Sequence, residues 1–473
     1  MADTLTPDIC VIGAGSGGLS VAAAAAAFGV PVVLIEKGKM GGDCLNYGCV
    51  PSKALIAAAK RVHAARSAAP LGVDANVKVD FARVHDHVRG VIAAIAPNDS
   101  VERFTGLGVR VINGAARFKD ADTIVVNDVE VKARRFVIAT GSSPSAPPIP
   151  GLDKIKYLTN ETVFDLKECP EHLLIIGAGP IGLELAQAFR RLGAQVTVLE
   201  AATPFAKEDP ECTAVVLTQL AREKIDIRAN VKIARIEKGR GTVRAVLTTD
   251  KGEEKIEGSH LLVAAGRHAN VDDLGLDEAA IKYERRGVIV DKGLRTSNKR
   301  VYAIGDVAGG LQFTHAANYH AGLVIRNALF RLPVSANDAL VPRVTFTDPE
   351  LAHAGLTEPE ARERHTKIAV LRWPFHENDR AQAERDTHGH IKVIATSRGK
   401  ILGATIVGAE AGEMIVAWAL AVAQGMNIRS MAGVVVPYPV RAEVGKRAAI
   451  GFFARSLTNS LVRSTIALLR RFG

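Results

Sequence analysis

An α/β fold class, with two βαβ units ahead of a C-terminal α+β domain, follows from three observations. A pattern of strand, glycine-rich turn, helix and strand occupies residues 8–36 and returns at 173–200. The chain of 473 residues is too long for one core. Its composition joins 43 glycines and few aromatics to Ala-rich and Val/Ile-rich runs, which suits small-residue helices packed on buried strands.

In the first unit, Ile9–Ile12 reads as a strand, Gly13-Ala14-Gly15-Ser16-Gly17-Gly18 as the turn, residues 21–27 as a buried helix and Val32–Glu36 as the second strand. The second unit repeats this with Gly177-Ala178-Gly179-Pro180-Ile181-Gly182 and a strand ending at Glu200. Both turns fit the Rossmann-like dinucleotide fingerprint. Gly13 and Gly177 make the tight turn, Gly15 and Gly179 let the backbone approach a pyrophosphate, and Gly18 and Gly182 allow close helix packing. One such turn is weak evidence, but two in full βαβ context, closed by Glu36 and Glu200 for a ribose, are strong. Glu200 is followed by Ala201 and Ala202 without a nearby arginine. A 2′-phosphate would meet a carboxylate there, so NADH is preferred over NADPH. Two further segments fit a flavin at the first site: Ala139-Thr140-Gly141, and the run from Thr296 to Gly305-Asp306, whose carboxylate would reach the ribityl or phosphate region.

The boundaries expected are 1–150 for the FAD-binding domain, ending in the proline-bearing stretch 143–151, 151–273 for the NAD-binding domain, 274–340 for a segment completing the FAD site, and 341–473 for the C-terminal domain with its tail.

After the first unit comes Gly41-Gly42-Asp43-Cys44-Leu45-Asn46-Tyr47-Gly48-Cys49-Val50-Pro51-Ser52-Lys53. Pro51 and the alanines after it put Cys49 at a helix start, where the dipole and free N–H groups favour thiolate. Five cysteines cannot form a disulfide scaffold, so this close pair reads as catalytic or metal-binding. Zinc would need further ligands beyond Asp43 and Asn46, and the pairs His85/His87 and His388/His390 lack an accompanying cluster. No metal site is expected.

These motifs resemble the pyridine nucleotide-disulfide oxidoreductases over essentially the whole chain, in the branch that holds mercuric reductase and dihydrolipoamide dehydrogenase. The resemblance implies FAD, a redox-active Cys44–Cys49 disulfide with Cys49 facing the flavin and Cys44 exchanging with substrate, and an ion pair between Lys53 and Glu184 beside the isoalloxazine. It also implies that Gly266, with Arg267 and Asn270, closes the second lobe, that His315 is flavin-adjacent, and that a homodimer brings Tyr438 and Glu443 to the partner's disulfide.

The chain departs from that pattern at one place. Disulfide-reducing members carry a histidine five residues before a glutamate, and here Val436-Pro437-Tyr438-Pro439-Val440-Arg441-Ala442-Glu443 puts Tyr438 at that position. A phenol ionises far above neutrality, so proton transfer to an ordinary disulfide substrate should suffer. Tyr438 matches the mercuric reductase side of the branch, but no cysteine follows Cys212, and soft-metal delivery needs thiolates. The expected activity is therefore electron flow from NADH through FAD and the disulfide to a small-molecule or metal-ion oxidant. Dihydrolipoamide dehydrogenase, and a flavoprotein sensor or membrane-recruited module without turnover, are the alternatives.

The net charge of +10 is concentrated after Glu443, where Lys446, Arg447, Arg455, Arg463, Arg470 and Arg471 stand without an acidic residue. No nucleic-acid partner is expected. From Ile450 the tail places Phe453, Leu457, Leu461, Leu468 and Phe472 at helical spacing. Such a basic amphipathic helix either packs on the dimer or meets an anionic membrane surface or an acidic partner. Without a secretory signal or a bilayer-length apolar run, the expected location is cytoplasmic, with the tail allowing a place at the periphery of the inner membrane. Arg441 reads as a solvated arginine, with attraction of anionic substrates as its alternative role.

Overall fold

The structure, a computed structural model, describes residues 3–454 and 459–472. The chain forms two compact units, one of residues 1–202 and 226–338, the other of residues 203–225 and 339–473.

In the first unit, β1 (Ile9–Ile12), α1 (Ser16–Ala27) and β2 (Val32–Glu36) form the first βαβ turn, followed by α2 (Cys49–Arg66), β3 (Arg110–Asn113) and β4 (Arg135–Ile138). The second copy is β5 (His172–Ile176), α3 (Pro180–Leu192) and β6 (Gln195–Leu199), and β7 (Asp226–Arg228), β8 (His260–Val263), β9 (Val301–Ala303) and α4 (Thr314–Ala328) follow. β1 pairs in parallel with β2 and β4, with Ile9 opposite Val32 and Arg135. The whole sheet runs β9-β4-β1-β2-β3. β9 brings the segment near residue 300 into the first dinucleotide fold. A parallel sheet is covered on both faces, which is why its strands are continuous apolar runs. Leu19, Val21, Ala22 and Ala25 of α1 share one buried cluster with Ala321 and Val324 of α4, and small side chains let the two helices approach. The second sheet, β7-β6-β5-β8, is likewise parallel.

The second unit is built on an antiparallel sheet of β10 (Arg343–Thr345), β11 (Glu350–Gly355), β12 (Ile368–Pro374), β13 (His390–Thr396) and β14 (Ile401–Gly408), in the order β10-β11-β14-β13-β12. Its core joins Phe375, Ile391, Val393 and Ile406 to Ile415 and Trp418 of α5 (Ala411–Ala423) and to Val444 and Ala448 of α6 (Glu443–Gly451). The described residues of the second unit thus place a sheet and helices over one core, the α+β arrangement expected of the C-terminal part. The stretch 151–273 is divided differently from the sequence-based boundaries. Residues 203–225, with the helix Pro210–Arg222, cluster with the second unit. There the buried Lys392 Nζ lies 2.7 Å from Asp209, 3.0 Å from Glu211 and 2.8 Å from Glu358.

The tail departs from one continuous helix. α6 stops at Gly451, and Phe452 and Phe453 pack against the core, which removes Phe453 from the free face. Leu457 lies outside the described residues, and α7 (Ser460–Leu469) begins afresh after Asn459.

Candidate functional site

Both fingerprint turns have the geometry that their glycines dictate. A Cβ at Gly18 would stand 1.9 Å from the Gly13 carbonyl oxygen, and one at Gly182 would stand 2.1 Å from that of Gly177. No side chain other than hydrogen fits where the helix meets the turn. Gly13 and Gly177 have φ of +104° and +108° with carbonyl oxygens of neighbouring strands close by. At Gly15 and Gly179 a Cβ would meet nothing within 4 Å, so bare main chain stands open at the N-termini of α1 and α3, as a pyrophosphate requires. Glu36 accepts from the Ala14 and Gly38 amides at 2.6 and 2.7 Å, and Glu200 from the Ala178 and Ala202 amides at 2.7 and 2.8 Å. The acid that closes each unit therefore also fixes its turn.

Thr140 donates to the Asn270 carbonyl at 2.8 Å, while the Asn270 amide returns to the Thr140 carbonyl at 2.9 Å. Gly141, at φ +70°, accepts from Asn270 N, and Gly266 has φ +129°. Asp306 accepts from Ser142 Oγ at 2.5 Å, and Ser142 in turn accepts from Arg267 Nε at 2.7 Å. Burial pushes the Asp306 carboxyl above its ordinary range, and Ser142 and Arg267 restrain that rise.

Cys49 is the first residue of α2. Both thiols of the pair are free, with Cys44 half-buried and Cys49 exposed. The Cys44 thiol donates to the Cys49 sulfur, which pushes Cys44 up, and burial adds to the rise. Cys49 moves the other way, down to about 6: the hydrogen bond from Cys44, the Thr314 hydroxyl and the nearby Lys53 charge outweigh burial and the repulsion of Asp43. Thr314 Oγ1 lies 3.5 Å from the Cys49 sulfur. The Lys53 ammonium, one turn along α2, binds the buried Glu184 of α3 at 2.9 Å.

Thr314 carries no signal of its own in the sequence, and Asp43 and Asn46 stand out there only as too few ligands for a metal. His315 was singled out, yet it is exposed and stacked on Phe313 at 5.3 Å, and its neighbour Thr314 is the side chain that reaches Cys49. Asp43 accepts from Asn160 at 3.0 Å and faces Arg267 at 3.3 Å. Its place directly before Cys44 was the available signal. Asn46 donates to the Met40 and Gly42 carbonyls and so braces the loop. Among the described residues no group of three or more His, Cys, Asp or Glu side chains is arranged to hold a metal ion.

In the second unit, Tyr438 is 70% exposed and donates to Asp379 Oδ2 at 2.6 Å. That hydrogen bond, and the charges of Asp379 and Glu443, push the phenol further above neutrality. Glu443 accepts from Arg447 at 3.0 Å. Arg441 is neither solvated nor turned outward. It is 8% exposed and tied to Glu384, to Asp386 at 3.2 Å and to the Asp386 carbonyl, because a buried guanidinium must be paired.

Residues 7–321 match the family model described as pyridine nucleotide-disulphide oxidoreductase, and residues 341–449 match the dimerisation domain of the same family, which supports a homodimer. A mercuric reductase of Lysinibacillus sphaericus is 35% identical over 449 residues, covering 94% of this chain and 82% of the relative. A dihydrolipoyl dehydrogenase of Geobacillus stearothermophilus is 34% identical over 448 residues, covering 93% and 94%. The solved Cu(II) complex of the HOCl-induced flavoprotein disulfide reductase RclA from Escherichia coli superposes with a TM-score of 0.84 at 29% identity, over 93% of this chain and 98% of that one. With two dinucleotide turns, a thiol pair at a helix start and the family's dimerisation domain in one chain, this enzyme belongs to the pyridine nucleotide-disulphide oxidoreductase family, flavoproteins that use FAD and NAD(P)H.

Proposed function

We propose that the enzyme passes electrons from NADH by way of FAD to a Cys44–Cys49 disulfide and on to a small-molecule or metal-ion oxidant. The observation that carries this reading is the divergence of the two thiols at the start of α2, with Cys49 held down to about 6 and Cys44 pushed up. Gly13, Gly15, Gly18, Glu36, Thr140, Gly141 and Asp306 would hold FAD, with His315 beside it, and Gly177, Gly179, Gly182, Glu200 and Gly266 would hold NADH. When bound, the two cofactors supply hydride acceptance and two-electron delivery to the disulfide.

The chain's own residues manage protons and charge. Reduction of the disulfide breaks one S–S bond and takes up two electrons and two protons. Near neutrality Cys49 releases its proton while Cys44 keeps its own. Lys53, fixed by Glu184, holds positive charge near the Cys49 thiolate. With a disulfide substrate, Cys44 attacks one sulfur, and its proton leaves with the other, which is expelled as thiol. Cys49 then attacks Cys44, releases the second substrate thiolate and re-forms the pair. Tyr438 and Glu443, acting on the partner subunit's pair, line the exit. There Tyr438 stays a neutral phenol whose one proton is donated to Asp379, so it does not take the place of the histidine as a general base.

Anaerobic titration with NADH is expected to deliver four electrons per subunit to the FAD-loaded enzyme and two to Cys44→Ser or Cys49→Ser. Saturation of the unaltered enzyme at two would overturn the proposal. Tyr438→His is expected to raise turnover of a lipoamide-type disulfide by about a hundredfold, the scale of a general acid–base group. The similarity to dihydrolipoyl dehydrogenase supports a second reading, in which such turnover is already high with Tyr438 present and the substitution gains nothing. The preference for NADH rests on Glu200, and the working location proposed is the cytoplasm.

A further inference from the structure

The match to the dimerisation domain ends at residue 449, and Phe452 and Phe453 close the core of the second unit. Beyond them every described residue from 459 to 472 is exposed. Asn459 caps α7 through the amides of Leu461 and Val462 at 2.9 and 3.4 Å. At 100° per residue, Leu461, Val462, Ile466, Leu468 and Leu469 gather on one side, with Thr465 among them, and Ser460, Arg463 and Ser464 lie on the other; Arg470, Arg471 and Phe472 follow the helix end. The apolar side is open, with Leu461 77% and Leu469 60% exposed. A single exposed leucine needs no explanation, but five large apolar side chains on one helix of ten residues do.

Charge selects the occupant. After Glu443 the sequence has six basic residues and no acidic one; Arg463 lies on α7 opposite its apolar side, and Arg470 and Arg471 follow directly at its C-terminal end. Pairing with α7 of a second copy would bring arginines against arginines. An anionic lipid surface satisfies both halves at once, taking the apolar side among the acyl chains and the guanidiniums at the phosphates. A helix of ten residues is marginal in water by itself, and such a surface would also hold it folded. We propose that α7 docks flat in the headgroup region of an anionic bilayer and makes this enzyme a peripheral membrane protein. The inference does not depend on the identity of the oxidant.

The test is co-sedimentation of the full FAD-loaded chain with phosphatidylcholine vesicles, with and without phosphatidylglycerol. The expected result is binding about tenfold greater to the anionic vesicles, weakening as salt rises. Binding should be lost in Leu461→Glu/Leu468→Glu and in Arg463→Ser/Arg470→Ser/Arg471→Ser, while both variants keep the flavin spectrum and NADH-driven reduction of the thiol pair. No binding by the unaltered chain, equal binding to both vesicles, or a change of oligomeric state in Leu461→Glu/Leu468→Glu would each overturn the proposal, the last by showing that α7 packs on protein.

Discussion

Cys44 and Cys49 are the same chemical group five positions apart, and their environments separate them. Cys49 accepts hydrogen bonds and has Lys53 nearby, whereas Cys44 donates to its neighbour and is half-buried. The reduced pair should therefore carry its thiolate on one sulfur, Cys49, near neutrality. In the NADH-reduced enzyme, the iodoacetamide rate at Cys49 should rise through a midpoint near pH 6, below the ordinary thiol value of about 8.5. Lys53→Met removes a positive charge and should move that midpoint upward, while Asp43→Asn removes a negative one and should move it down. If both substitutions move it in the same direction, the electrostatic account fails. The thiol pair itself was legible from its spacing and Pro51. Thr314, 265 positions from Cys49 in the chain, was not, because nothing local to either residue specifies that contact.

At the scale of elements, each dinucleotide turn depends on a helix packed directly against the turn's own carbonyl. Gly182→Ala would force its methyl onto the Gly177 oxygen, which lies 2.1 Å from the Cβ position. Overpacking of this kind costs about 1–3 kcal/mol. The expected outcome is an enzyme that keeps its flavin absorbance but shows a KM for NADH raised at least about tenfold, and steady-state kinetics checks it. Gly18→Ala should instead lose flavin absorbance. An unchanged KM in the first, or a full complement of flavin in the second, would show that the two turns have been given the wrong cofactors. Both turns could be read from sequence because a glycine at each fingerprint position has its own steric reason. The helix expected to run on from Ile450 could not, since helical spacing continues through Phe453 while the chain turns there to bury Phe452 and Phe453 in the core.

At the scale of the whole molecule, stability of the second unit depends on charges that come from distant parts of the chain. Lys392, 5% exposed, lies among Asp209, Glu211 and Glu358. Burial alone would lower its pKa, but the three carboxylates outweigh it and raise it. That contribution is complete below the unfolded value of about 10.4 and is lost only as pH rises above it. Lys392→Ala strands the buried Asp209 and should cost about 3–5 kcal/mol, read as a lower unfolding midpoint. Acid acts through other groups. Arg372 and Lys392 hold Glu211 down to about 2, so its contribution is present above about 4.3 and disappears as pH falls toward 2. His353 is buried between Thr405 and the Gly355 carbonyl, and burial lowers it to about 4. The unfolded chain binds that proton first, so stability falls between about pH 6.5 and 4. Scanning calorimetry across this range should show the decline, and His353→Gln should flatten its upper part; an unchanged slope would mean that another group titrates. The sequence by itself determined the two βαβ units, their closing acids, the thiol pair and the position of Tyr438, because each is a local pattern whose chemistry lies within a few residues. Only the tertiary structure decided that Lys53 meets Glu184 across 131 positions, that Arg441 is locked inward, and that residues 203–225 join the second unit. In each case a buried charge had to find its partner, and packing of the whole chain selects which distant group that is.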